Sequence, residues 1–366
     1  MLIEDLYRNK IDRLGKKVLF VAPDTRWKGG ISSVINEYKQ AITTFQYQPS
    51  TTSENIVVTF ISFPFLLANF CGQLIAKRHV KIVHIHGASK GSFYRKYIFF
   101  ILARYGFRKK VIYHIHGAMY HLFYQRASSF EQKRIKHFIN SADCLIVLSD
   151  WWKNFFEKEF TPHEIRVIPN IVKATEREEV AHSVSSPLKF LFLGRIGERK
   201  GVYDLLEVLG QHRAELADRY KLALGGDGEV KKLQKLIKDY RLEDSVQYVG
   251  FVTGHQKKQL MKSADVYILP SYHEGLPISI LEAMSFGMPI ISTGVGGIPE
   301  VVQPHQNGLL VSAGDQTAIF EAIRFFLDHP EKIKEYGARS YDMVARKYFP
   351  KPVMESLAAL YEELLS

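Results

Sequence analysis

Two cysteines among 366 residues, Cys71 and Cys144, are too few and too far apart to build a disulfide framework. Both sit in apolar surroundings and read as small buried hydrophobes in a reducing compartment. The N-terminus, Met1-Leu-Ile-Glu-Asp5, lacks the basic-then-apolar layout of a secretory signal, so a cytoplasmic chain is expected. No Asp-x-Asp pair suited to a divalent cation occurs, and neither a metal nor another cofactor is expected. A recognised nucleic-acid module is also missing, so nucleic acid is not an expected partner. Residues 55–76 carry no charge at all. That length invites a membrane span, yet Thr59, Ser62, Pro64, Asn69, Gly72 and Gln73 interrupt it. Ile56–Ile61 reads better as a strand, followed by a helix that is buried or rests on a surface.

What is present is βαβ patterning over a length that suits two domains. Strands are expected at Lys17–Ala22, Lys81–His86, Val111–His116 and Cys144–Leu148. In the second half they are expected at Leu188–Gly194, Lys221–Gly225, Val246–Val249, Val266–Pro270 and Pro289–Thr293. Polar Lys173–Pro187 suits a linker. The expected division is residues 1–175, residues 176–349, and a final helix over residues 350–366 returning to the first domain. Charge divides the same way: residues 1–186 hold 27 Lys and Arg against 15 Asp and Glu, whereas residues 187–366 hold 22 against 23. An excess confined to one half points to a polyanionic partner for that half, anionic lipid headgroups or nucleic acid, with a solubilising excess that has no partner as the alternative.

Ligands of doubly wound sheets bind beyond the carboxyl ends of the strands. The densest signals fall there. After the strand ending at Pro270, a loop carries Glu274 and Gly275, Pro277 stands where a helix begins, and Glu282 lies inside that helix. Amides at a helix start favour phosphate, whereas two carboxylates favour hydroxyl groups. A sugar joined through a diphosphate to a ribose offers both. Phe192-Leu-Gly-Arg-Ile-Gly-Glu-Arg-Lys-Gly-Val202 opens the second half after its first strand. Its Arg195 and Lys200 can neutralise a departing diphosphate, the work a metal does elsewhere.

The spacing Glu274-x7-Glu282, set in His-Glu-Gly-Leu-Pro and Leu-Glu-Ala-Met-Ser-Phe-Gly-Met-Pro-Ile, resembles the donor motif of family 4 retaining glycosyltransferases. The resemblance covers residues 188–312 and, more loosely, the first half. It implies the GT-B fold: α/β, with two Rossmann-like doubly wound parallel-sheet domains facing a central cleft. It implies that Glu274 binds the transferred sugar with help from the Gly275, Leu276 and Pro277 backbone, and that Glu282 binds the nucleotide ribose. Arg195 and Lys200 would hold the diphosphate beside Gly194, and Gly226 belongs to the family's second glycine turn. Val249–Val252, with Phe251, would meet the nucleotide base. Gly294–Glu300 and Asn307–Val311 are expected mainly as pocket-wall and fold-maintaining turns, with Gly296 and Gly297 as candidates for direct contact.

On the first half, Trp27-Lys-Gly-Gly-Ile31 precedes a helix, and Gly29 and Gly30 are candidates for close approach to phosphate or sugar. His84-Ile-His86 and His114-Ile-His116 end two strands, and alternate residues share a face, so the four imidazoles can converge. A zinc site at these histidines is disfavoured, because no Cys or carboxylate at ligand spacing supports it. The resemblance assigns His116 to the donor sugar and diphosphate, while His86 is either near the acceptor or simply packed. Ser92–Lys110 mixes six basic residues with aromatics and reads as an amphipathic helix for an anionic membrane surface or as a core helix with a basic face. The expected partners are a nucleoside diphosphate sugar, with UDP-sugar favoured, and a glycan or polyprenyl-linked acceptor at the inner face of the membrane. A nucleotide-sugar epimerase or glycan phosphorylase on the same scaffold stays open, as does a non-enzymatic nucleic-acid-binding protein.

Overall fold

A computed structural model of the chain describes residues 2–26, 29–53, 55–176 and 184–366. The chain forms two compact units, Met1–Ile171 with Tyr348–Ser366, and Val172–Lys347. Trp27 and Lys28 of the glycine loop, and residues 177–183 of the linker, lie outside the described residues.

In the first unit, β1 (Val18–Ala22), β2 (Gln46–Pro49), β3 (Ile82–Gly87), β4 (Lys110–Ile115), β5 (Cys144–Val147) and β6 (Ile165–Val167) form one parallel sheet. Their order is β2-β1-β3-β4-β5-β6. Strands β1, β3 and β5 are buried along their whole length, as expected of a parallel sheet covered by helices. Leu19, Val83, Val111 and Leu145 pack with Phe70, Phe93, Phe99 and Phe138 into one apolar core. The terminal helix, Pro350–Leu365, belongs to this unit and packs beside the helix Leu2–Gly15. Lys10 and Glu362 pair there at 2.8 Å.

In the second unit, β7 (Leu188–Leu193), β8 (Tyr220–Gly225), β9 (Val246–Gly250), β10 (Val266–Leu269), β11 (Ile290–Thr293) and β12 (Gly308–Val311) form a second parallel sheet. Its order is β12-β11-β10-β7-β8-β9. The chain winds outward from β7 and then returns to place β10 on β7's other side. At that reversal, the place where doubly wound sheets bind ligands, the exits of β7 and β10 lie side by side.

Two sequence expectations are corrected. Ile56–Ile61 is not a strand, because Ile56–Ala76 is a single helix. Asn55 starts it by accepting from the Val57 and Val58 amides. Burial of Phe70 and Leu74 outweighs the β preference of its first residues. Strand β2 fills the sheet edge instead, a Gln-Tyr-Gln-Pro run without apolar alternation. Second, Asn307–Val311 supplies strand β12 rather than only a turn. Of the two readings of Ser92–Lys110, the structure shows the core-packing one. Its helix Gly91–Ile101 and the π-helical turn Leu102–Gly106 bury Phe93, Lys96, Phe99, Phe100 and Ala103. Arg104 and Lys110 pair with Asp143, and the Lys109 ammonium donates to the Val80 carbonyl, while Arg108 stays exposed. The domain limits also differ by a few residues from those expected, with boundaries after Ile171 and Lys347.

Candidate functional site

The second unit assembles its site from five consecutive strand exits, those of β7 to β11. The Tyr267 hydroxyl donates to the Leu193 carbonyl at 2.8 Å and ties β10 to the end of β7. Beyond it, the Gly194–Gly201 loop runs beside the turn that follows β8. Ile196 N donates to Asp227 O at 2.6 Å, and Glu229 N donates back to Ile196 O at 3.0 Å. A Cβ on Gly226 would lie 1.8 Å from Gly194 O, so only glycine lets the two loops approach this closely.

The same loop then presses on the exit of β10. Tyr272 N donates to Arg199 O at 2.9 Å, and the Arg199 guanidinium donates to His273 O at 2.7 Å. This contact brings Lys200 to Glu274, where ammonium and carboxylate pair at 2.5 Å. The second carboxylate oxygen lies 3.7 Å from Arg199. Both members of the Lys200–Glu274 pair are nearly buried, with side chains 11% and 5% exposed. Charges held in so little water interact strongly, and removing Glu274 leaves Lys200 uncompensated.

Gly275, Leu276 and Pro277 follow, all buried, with Pro277 capping the helix Ile278–Ser285. Glu282 stands just past the first turn of that helix and pairs with Lys257, on the helix Gly254–Ser263, at 2.5 Å. The Gly294–Glu300 turn supports the loop from below. Gly297 N donates to Gly275 O at 2.6 Å, and a Cβ on Gly296 would lie 2.1 Å from Glu274 O. Phe251 is exposed after β9. Gly194, Arg195, Lys200, Gly226, Phe251 and the Glu274–Pro277 loop therefore share one edge of one sheet, around its order reversal. Arg195 is exposed, and the pairing with the glutamate loop falls to Arg199 and Lys200. Sequence reasoning missed Arg199 and Lys257, because only tertiary folding brings them to the two glutamates.

The first unit presents a second cluster. His84, His86 and His114 are fully buried, and His116 is partly exposed at the strand exit. His86 Nδ1 and His116 Nε2 share a hydrogen bond of 2.9 Å, and His116 Nδ1 donates to the Asn170 side-chain oxygen at 3.1 Å. With the Nδ1 proton on His116 given to Asn170, its Nε2 accepts from His86. His84 links the Tyr361 hydroxyl, at 2.8 Å, to His114 at 3.3 Å. Ligand nitrogens of His84, His86 and His114 lie within 4.8 Å of one another. His84 and His86 stack, with centroids 4.4 Å apart and planes 21° from parallel, whereas His84 and His114 meet edge to edge, 17° from coplanar. Burial keeps all four neutral, with His84 pushed down to about 3 and His116 to about 4, and His86 and His114 also lowered. Gly29, at φ +148°, precedes the helix Gly30–Ala41, and a Cβ there would meet no described atom within 4 Å.

Two family profiles match the chain in succession. "Glycosyltransferase Family 4" matches residues 12–176 and "Glycosyl transferases group 1" matches residues 174–343. A putative colanic acid biosynthesis glycosyltransferase, WcaL of Salmonella typhimurium, is 30% identical over 235 residues, covering 61% of this chain and 57% of the relative. The match thus spans little more than half of that relative's length. Among solved structures, sucrose-phosphate synthase from Thermosynechococcus elongatus aligns with a TM-score of 0.78 at 20% identity, over 95% of this chain and 99% of its own. HepE of Anabaena in complex with UDP aligns at 0.75 and 18% identity, over 95% and 100%. These structures share the GT-B fold with this chain, two parallel six-stranded sheets with surrounding helices.

Proposed function

The chain belongs to the group 1, family 4 glycosyltransferases, and from that premise we propose that it is a retaining, metal-independent hexosyltransferase. It moves a hexose or N-acetylhexosamine from a nucleoside diphosphate sugar to a hydroxyl of a glycan acceptor carried on a polyprenyl lipid. The setting is synthesis of a bacterial surface polysaccharide at the cytoplasmic face of the membrane. The observation that carries this reading is the arrangement of Glu274, Lys200 and Glu282 at the reversal of the second sheet. The similarity to a colanic acid glycosyltransferase supports the polysaccharide setting, and the UDP-bound fold neighbour supports a UDP-sugar donor.

In the proposed reaction, the bond from the anomeric carbon to the diphosphate oxygen breaks with its electron pair leaving on phosphate. The acceptor hydroxyl attacks the same face, and its proton passes to the departing phosphate. Lys200 and Arg195 offset the charge that grows there. Glu274, held on one side by Lys200 and Arg199, orients the sugar through its hydroxyls and does not act as a nucleophile. Glu282 takes the ribose hydroxyls, with Lys257 holding its carboxylate. Gly194, Gly226, Phe251 and Gly275–Pro277 line the nucleotide and sugar. From the first unit, His116 is assigned to the sugar and diphosphate, and Gly29 and Gly30 to close approach of the donor.

Product analysis with and without acceptor tests this reading. A glycosyltransferase yields a glycosylated acceptor and free nucleoside diphosphate, in EDTA as well as without it. An epimerized sugar formed without acceptor, or turnover that requires inorganic phosphate, overturns it.

A further inference from the structure

The helix Ile56–Ala76 reverses the pattern of an ordinary surface helix. Its inner side rests on the core of the first unit through Phe70 and Leu74, with Phe63, Leu66 and Leu67 partly buried beside them. Phe63 and Phe70 both meet Phe99 edge-on. Its outer side follows helical spacing through Val57, Ile61, Phe65 and Ile75, with Val58 and Phe60 alongside. These residues stay in solvent: Phe60 is 83% exposed, Phe65 75%, Ile75 63%, Ile61 62% and Val57 61%. A surface helix normally turns charged residues outward. Here none exists to turn, and only Asn69 breaks an apolar stripe about 30 Å long. An exposed apolar surface of this extent marks an interaction site.

We propose that this face is the docking surface of the protein for an anionic lipid bilayer, with the helix lying flat in the interface rather than spanning it. Charge selects the occupant. The first unit holds 26 Lys and Arg against 15 Asp and Glu, while the second holds 23 of each. The carboxyl end of the stripe runs into exposed Arg78 and Lys81. An apolar face backed by a positive body is what adsorbs to acidic headgroups, apolar side inserted and cations at the surface. The inner face sets the orientation, because spanning would pull Phe70 and Leu74 out of the core. Phe60 and Phe65, the most exposed of these side chains, are the ones that enter the acyl boundary. The anionic surface expected for Ser92–Lys110 is thereby assigned to the neighbouring helix. This inference extends the membrane part of the proposed function and does not depend on its chemistry.

Co-sedimentation of the full chain with vesicles tests it, using mixed phosphatidylglycerol and phosphatidylcholine against phosphatidylcholine alone, at low and high salt. The double variant Phe60→Glu/Phe65→Glu is compared with Phe130→Glu, an exposed phenylalanine on the helix Ser129–Ser141. Thermal melting and UDP affinity of each variant confirm that it is folded. The expected result is binding to the anionic vesicles, weakened by salt, lowered at least roughly tenfold in the double variant and unchanged in Phe130→Glu. Wild-type protein left in the supernatant, or equal binding by the double variant, overturns the proposal. So does a wild-type dimer by light scattering that the double variant dissolves, since the face would then join two copies of this chain. A chain that docks through Phe60 and Phe65 but neither binds nor consumes any nucleoside diphosphate sugar leaves the docking surface standing and refutes the donor assignment instead.

Discussion

Glu274 and Glu282 share a motif but differ in what holds them, and that difference separates their expected phenotypes. Glu274 is nearly buried against Lys200, with Arg199 on its other oxygen. Glu274→Gln keeps the shape but leaves Lys200 without its counter-charge, and the sugar loses its anionic acceptor. Turnover should fall by roughly 10²-fold or more while UDP affinity changes little, read by steady-state kinetics beside calorimetry. Glu282 is a more open pair with Lys257. Glu282→Gln should weaken UDP binding by about 1 kcal/mol, near fivefold, with a smaller effect on turnover at saturating donor. Unchanged turnover in the first variant would remove Glu274 from the mechanism. The two glutamates, Lys200 and the glycines were legible in the sequence, because their spacing lies within single strand-loop-helix segments. Arg199 and Lys257 were not legible. Arg199 was passed over for Arg195 in the same loop, and Lys257 lies 25 residues from Glu282 in sequence; folding alone selects them.

Among the elements, the Gly294–Glu300 turn is more than a pocket wall. Gly296 sits at φ +57° with its missing Cβ directed at the Glu274 carbonyl. Gly296→Ala should therefore cost roughly 2–4 kcal/mol of stability and displace the glutamate loop, lowering UDP affinity as well. Gly254→Ala is the matched control: φ is +53°, but no described atom lies within 4 Å of the added methyl. It should cost only about 1 kcal/mol and leave UDP binding intact. Denaturant melts and calorimetry of the two variants check this, and equal losses would refute the crowding argument. Legibility also divides by element. Buried central strands such as β1 and β10 are continuous apolar runs and were placed to within a residue. Strand β2 hides because it is short and polar, and Ile56–Ile61 imitates a strand because its β-branched residues sit in a helix stabilised by partners elsewhere in the sequence.

For the whole molecule, the two units should respond differently to acid. An unfolded histidine takes up its proton near pH 6.5, whereas folded His84 stays neutral down to about 3 and His116 down to about 4. Between those values the unfolded chain binds more protons, so stability present above pH 6.5 is lost as pH falls. The slope is about 1.4 kcal/mol per pH unit for each histidine, and His86 and His114 act in the same direction. All three tryptophans, Trp27, Trp151 and Trp152, lie in the first unit, so their fluorescence reports that unit alone. Its denaturant midpoint should drop steeply from pH 6.5 to pH 4, and the far-ultraviolet dichroism of the whole chain should drop less. Coincident, flat midpoints would contradict this.

Buried Lys96 adds a second window in the same unit. Burial lowers it to about 7, so stability rises with pH between 7 and the ordinary lysine value of 10.5. Lys96→Met should stabilise the unit at neutral pH by roughly 1–4 kcal/mol and flatten that window, as read by the same fluorescence melts.

The most direct test of the central claim, a second unit that binds a nucleoside diphosphate sugar and delivers its sugar, is nucleotide release. UDP-, GDP- and ADP-sugars are offered with membrane lipid extract as acceptor, in EDTA, to the wild type and to Glu274→Gln. The expected result is acceptor-dependent release of one nucleoside diphosphate, UDP foremost, that persists in EDTA and collapses in the variant. Release from no donor, or equal release by both proteins, would contradict it.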